Sequence, residues 1–317
     1  MTVATPKAST ASGAPRGALR RSRPRYGELL IQAVLLLAAL VSIGTTVGIV
    51  YSLIPPTIEF FSRISFAEFF GGTNWSPLFE PPSYGVITLL AGTLVITAIA
   101  VVVAVPLGLL AAIYLSEYAR PAVRKSFKPL LEILAGIPTV VYGFFALAFV
   151  TPLLRAVWPL GDGPAIFNGL AAGIVMGVMI IPTVASLSED AMAAVPQSLR
   201  DGAFALGSTK MVVSLRVVVP AALSGIVAAF VLGVSRAIGE TMIVTIASGV
   251  SAQANWNPLQ AMSTMTSFIA QAGSGDIPVQ SFDYKTVFAV AAVLFVLTFA
   301  INALSIRLVR KYREVYE

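Results

Sequence analysis

Halfway along an otherwise apolar stretch the chain reads Ser235-Arg236-Ala237-Ile238-Gly239-Glu240-Thr241-Met242. Opposite charges four residues apart, as Arg236 and Glu240 are, share one face of a helix. An ionised side chain at membrane depth costs about 2.5–3.5 kcal/mol on insertion scales, so each needs a partner or a wet cavity. Two chemistries meet that demand. The pair can be a structural ion pair that locks helix packing. It can instead line a path for an anion, with the forked Arg236 guanidinium suited to an oxyanion and Glu240 holding it until the anion arrives.

The remaining chemistry is sparse. There is no histidine and no cysteine in 317 residues, which excludes Ser–His and Cys–His nucleophiles, imidazole zinc sites and disulfides. An intramembrane enzyme would have little beyond Arg236 and Glu240 to work with. A second stretch imitates a nucleotide site: four residues separate Gly202 from Gly207, and Ser208-Thr209-Lys210 follow. A phosphate-binding P-loop needs its lysine directly after the second glycine, then Ser or Thr. The order here is wrong, so ATP has to be hydrolysed by another subunit, and neither cofactor nor metal is expected.

What positions these residues is a set of long apolar runs. Hydrophobic residues make up 57% of the chain and charged ones only 11%, too little polar surface for a soluble domain of this size. Residues 1–25, rich in Ala, Ser, Pro and Arg, read as a disordered basic tail. Six runs near Leu29–Ile54, Val86–Leu115, Leu130–Leu154, Asn168–Leu187, Ala221–Ala247 and Thr286–Leu308 each have the ~20 residues a membrane-crossing helix needs. The first is too long for a signal-peptide core of ~7–15 residues. The expected fold is therefore all-α and polytopic, with six spans over 26–317. Pro106, Pro138 and Pro182 interrupt three of them, and Gly169, Gly173 and Gly177 form two GxxxG steps.

Charge placement sets the expected orientation. Seventeen of the 21 Lys and Arg residues fall in the tail, in the loops after the second and fourth spans and at the C-terminus. The alternate loops hold only Arg63, Arg155 and Lys285. By the positive-inside rule both termini are cytoplasmic. The net charge of +6 then reports topology and calls for no nucleic acid. Two outer segments, Pro55–Tyr84 and Ser248–Asp283, carry aromatic residues suited to interfacial anchoring or to docking an external partner.

In the long loop before the fifth span, Asp201-Gly202-Ala203-Phe204-Ala205-Leu206-Gly207 continues to Val217-Val218-Val219-Pro220. This resembles the EAA loop of bacterial ABC importer permeases, with Asp201 at the Glu position, Gly207 at the Gly position and Pro220 at the Pro position. Asp for Glu, Gly202 for Ala, and Val217 and Val219 for Ile and Leu are departures. Small residues at Gly202, Ala203, Ala205 and Gly207 suit a helix seated in a partner's cleft, Gly207 can turn the chain, and Pro220 can open the next helix. An ordinary amphipathic cytoplasmic helix is the competing reading.

Leu115-Ser116-Glu117-Tyr118, Lys128 to Phe145, and Ser235 to Met242 are similar to the PstC-type permeases of the bacterial phosphate ABC importer, a type I importer fold. The resemblance covers most of the chain beyond the tail. It implies an inner-membrane permease with three partners: a sibling PstA-like permease as heterodimer, a PstB-like ATPase dimer on the EAA loops, and a PstS-like periplasmic or lipid-anchored phosphate-binding protein. It also implies that Arg236 and Glu240 serve phosphate passage. A permease for sulfate or molybdate, the sibling permease itself, and a passive channel or scaffold are the alternatives.

Overall fold

A computed structural model describes residues 26–311 except 160, 162, 276, 279 and 280, so the expected tail and Arg313 lie outside the described residues. The chain divides into two compact units, residues 1–51 and 52–317. The described part of the first is helix, the leading portion of α1 (Tyr26–Phe61). Its apolar side chains, Leu29, Leu36 and Val47 among them, are exposed, as a lipid-facing helix requires. α1 runs seven residues beyond the expected end and takes in Pro55 and Pro56.

The second unit is built on α3 (Ile87–Ile113) and α7 (Gly169–Ala193), which pack along each other. The glycine steps explain the close approach. A Cβ at Gly173 would lie 2.7 Å from Ile99 Cβ, and one at Gly177 2.7 Å from Val103 Cβ. Small-residue faces of this kind replace the hydrophobic drive that lipid cannot supply between helices. Around this pair stand α5 (Thr139–Phe145), α6 (Thr151–Val157), α11 (Leu223–Ile238), α12 (Met242–Ala247) and α14 (Phe282–Lys311). Met176, Met179, Ile180 and Ile243 fill the core between α3, α7 and α12.

At the end where α3 begins, α2 (Phe66–Gly71), a two-stranded hairpin β1 (Trp75–Ser76) and β2 (Ser83–Tyr84), and α13 (Met265–Ser274) form a cap. Phe60, Phe69, Trp75 and Tyr84 are buried there with Phe268 and Phe282 packed against them. Most aromatics of the segments Pro55–Tyr84 and Ser248–Asp283 thus build a core of their own, whereas Phe66, Phe70, Phe79 and Trp256 stay exposed.

The third and fifth expected spans need correction. Residues from Leu130 to Ala135 belong to α4 (Pro121–Ala135), a separate amphipathic helix with no buried residue. The span itself runs from Thr139 to Val157. The turn Gly136-Ile137-Pro138 separates the two, so Pro138 precedes α5 and does not interrupt a helix. Pro106 and Pro182 do lie inside α3 and α7. The fifth apolar run, expected over Ala221–Ala247, is broken twice: by a 72° bend before Leu223, and again between Ile238 and Met242. Among the described residues five helices are long and apolar enough to cross a membrane, or six if the bent pair counts as one.

Candidate functional site

The break after Ile238 decides what Arg236 and Glu240 do. Arg236 lies in the last turn of α11 and donates from Nη1 to Thr183 Oγ1 at 3.1 Å. Thr183 lies on α7, beside Pro182. Glu240 lies beyond the helix end, buried, in the three-residue link to α12. Its Oε1 accepts the backbone N–H groups of Met242 at 3.1 Å and Ile243 at 3.3 Å. A carboxylate there satisfies two donors that a helix start leaves orphaned and complements the positive end of the helix dipole. The expected shared helical face is therefore absent, and Arg236 and Glu240 make no ion pair with each other among the described residues. Each charge has its own partner.

Glu240 lines a narrow, partly open cleft that does not admit a water molecule. Thr93 and Thr97 of α3, Thr264 and Thr266 at the start of α13, and Val244 of α12 line it together with apolar Ile96, Met176, Ala237 and Ile238. The Thr266 hydroxyl donates to the Glu240 carbonyl at 2.6 Å. Thr93 Oγ1 accepts the Met265 N–H at 3.1 Å. α3, α11, α12 and α13 thus meet at the broken span, where the threonine hydroxyls bond backbone groups around the link that carries Glu240. Thr183 and the threonine wall were not singled out from sequence, where a lone Thr in an apolar run carries no signal of its own.

The residues assigned to coupling sit at the opposite end of α3. α8 (Gln197–Ala205) carries Asp201, Gly202 and Ala203. Asp201 is exposed and accepts a hydrogen bond from Gln197 at 3.0 Å. Gly207 adopts φ +80°; its N–H reaches Phe204 O at 2.9 Å, and Ser208 N–H reaches Ala203 O at 3.1 Å. That pair of bonds is a Schellman turn, which needs the left-handed conformation glycine adopts freely. Pro220 does not open a helix as expected. It falls at the end of a helical run comprising α9 (Lys210–Val213), a π turn at Ser214–Val218 and α10 (Val219–Ala221), just before the 72° bend.

Ion pairs gather at this end. Glu189, buried near the end of α7, accepts from Arg124 and from Lys128 at 3.0 Å, and Lys128 also pairs with Asp190. Hydrogen bonding to Asp190, against the cost of burial and with help from Glu189, raises the pKa of the Lys128 ammonium above its ordinary value. These bonds fasten amphipathic α4 to α7. Arg200 of α8 pairs with Glu117, in the π turn Tyr114–Tyr118 that extends α3.

Comparison with known proteins agrees with this architecture. Residues 104–314 match the family described as "Binding-protein-dependent transport system inner membrane component". The chain is 34% identical to the probable ABC transporter permease protein YqgH of Bacillus subtilis, over 93% of this chain and 94% of that protein. It is 33% identical to the phosphate transport system permease protein PstC of Xylella fastidiosa, over 77% of this chain and 80% of that one. Among solved structures, a bacterial alginate ABC transporter in complex with its alginate-bound periplasmic protein superposes with a TM-score of 0.62. That match is 16% identical and covers 90% of this chain and 96% of the other. The inward-facing MetNI methionine ABC transporter gives 0.53 at 21% identity, over 73% of this chain and 95% of that chain. At such identities the structural matches speak for the fold, a type I importer permease.

Proposed function

The chain belongs to the family of binding-protein-dependent transport system inner-membrane components, and from that premise we propose that it is the PstC-type permease of an ATP-driven phosphate importer. The observation that carries the reading is the broken fifth helix, where a guanidinium and a carboxylate stand apart in the apolar core, each held by separate groups. Arg236 is held by one neutral hydroxyl, so an oxyanion can take over its remaining donors without first breaking an ion pair. The PstC relatives supply the substrate by name.

The partners of such a subunit are a PstA-like sibling permease, a PstB-like ATPase dimer and a PstS-like phosphate-binding protein. Both termini face the cytoplasm. α8, with Asp201, Gly202, Ala203 and Gly207, seats in the ATPase, and Pro220 stands at the bend that carries its motion towards α11. Phosphate enters from the cap end when the cleft beside Glu240 opens, contacts Arg236, and leaves when the closed arrangement returns.

The test is phosphate uptake by proteoliposomes holding the complete complex, wild type against Arg236→Gln. Loss of one charge-assisted contact, worth about 1.5–3 kcal/mol, lowers uptake at least about tenfold with assembly unchanged. Uptake at the wild-type rate would make Arg236 a packing residue. Uptake of sulfate or molybdate in place of phosphate would overturn the substrate.

A further inference from the structure

α8 buries no residue fully, and its apolar contribution to the neighbouring core is the half-buried Ala203. Its tether is Arg200. This side chain is 12% exposed and donates to three acceptors: Val195 O at 2.5 Å, Met192 O at 2.8 Å and Glu117 Oε1 at 3.1 Å. The two carbonyls belong to the end of α7 and the turn after it. Glu117 is 8% exposed, and its Oε1 also accepts the Ser116 hydroxyl at 3.0 Å. A second contact grips the same turn from the other side of the loop, with Lys210 Nζ 5.1 Å from the centre of the Tyr118 ring. Both flanks of the exposed loop therefore hold the π turn Tyr114–Tyr118.

We infer that Arg200 and Glu117 are positioning residues that make α8 and α3 move as one body, so that the loop drives α3 as well as α11. The inference rests on the reading of α8 as the element that meets the ATPase. α3 can relay such a motion because it is packed on α7 through glycine contacts along its length. Its far half carries Thr93 and Thr97 in the wall of the Glu240 cleft. The π turn at this join accommodates an extra residue, with Ala119 N–H bonded to Tyr114 O at 2.8 Å, and such turns recur at functional sites. The neighbouring carboxylates Glu189 and Asp190 are already matched by Arg124 and Lys128. Among the described residues that leaves Arg200 as the cation paired with Glu117.

The experiment reads coupling, not substrate. Complexes carrying Glu117→Gln are compared with wild type for ATP hydrolysis without and with phosphate-loaded binding protein, and for phosphate uptake. Basal hydrolysis stays at the wild-type level while uptake per ATP falls about tenfold, the size of a coupling change along such a linkage. The chain contains no cysteine, so Glu117→Cys with Arg200→Cys gives a unique thiol pair. Bridging these thiols with a bifunctional reagent restores uptake per ATP relative to the unbridged protein. Wild-type coupling in Glu117→Gln or in the unbridged double variant would overturn the inference, as would a bridge that blocks the cycle. Failure of uptake in wild type as well would instead sink the phosphate reading, since stimulation of hydrolysis by the binding protein is measured separately.

Discussion

Glu240 sits where two roles meet, since its carboxylate caps α12 and also faces the threonine-walled cleft. Amide and methyl replacements separate them. Glu240→Gln keeps an oxygen acceptor for the Met242 and Ile243 N–H groups and removes the charge. Glu240→Ala removes both and costs about 0.5–2 kcal/mol, as lost caps do. The expected outcome is a thermal midpoint near wild type for Gln and a lower one for Ala, measured on the purified complex, with uptake reduced in both. Uptake at the wild-type rate in Glu240→Gln would confine the residue to capping. The two charges stood out in the sequence because ionised residues in apolar runs are rare; their geometry did not. Four-residue spacing implies a shared face only while the helix continues, and Gly239 followed by an acid is a stop and a start in succession.

At the scale of elements, α8 offers a pair of opposed substitutions. A Cβ added at Gly202, inside the helix, would meet nothing within 4 Å, whereas Gly207 holds φ +80°. Alanine at 202 gains helix propensity of about 1 kcal/mol. Alanine at 207 is forced into left-handed backbone at about 1–2 kcal/mol. Hydrogen exchange of the α8 amides should therefore slow in Gly202→Ala and quicken in Gly207→Ala; equal exchange in the two would refute the turn assignment. Sequence located this loop and its turn by spacing, yet missed what fastens it, because Arg200 and Glu117 are 83 residues apart and nothing local marks their pairing. It also merged α4 with the following span. Apart from Glu132, apolar residues continue through Leu130–Ala135, and Gly136 and Pro138 mark the boundary, which hydropathy alone cannot weigh against a Pro-kinked helix.

For the whole molecule, the choice between five and six crossings turns on α11. Its 16 residues span about 24 Å at 1.5 Å each, short of the ~30 Å hydrocarbon core. α11 passes as a span only together with the helical run Lys210–Ala221 before the 72° bend, and six more helical residues, α12, follow the Gly239–Thr241 break. A break at that depth is tolerable because the freed Met242 and Ile243 N–H groups are satisfied by Glu240, as lipid would not do. A broken span of this kind places Leu206 and Trp256 on opposite sides of the membrane; a re-entrant α11 would return them to one side. Leu206 is 89% exposed and Trp256 61% exposed, and a chain without cysteine needs no background removed before labelling. A membrane-impermeant maleimide applied to intact cells should label Trp256→Cys and leave Leu206→Cys untouched until the membrane is opened. Labelling of both from outside, or of neither, would mean five crossings. The reverse pattern would keep six and invert the orientation, leaving α8 unable to reach a cytoplasmic ATPase.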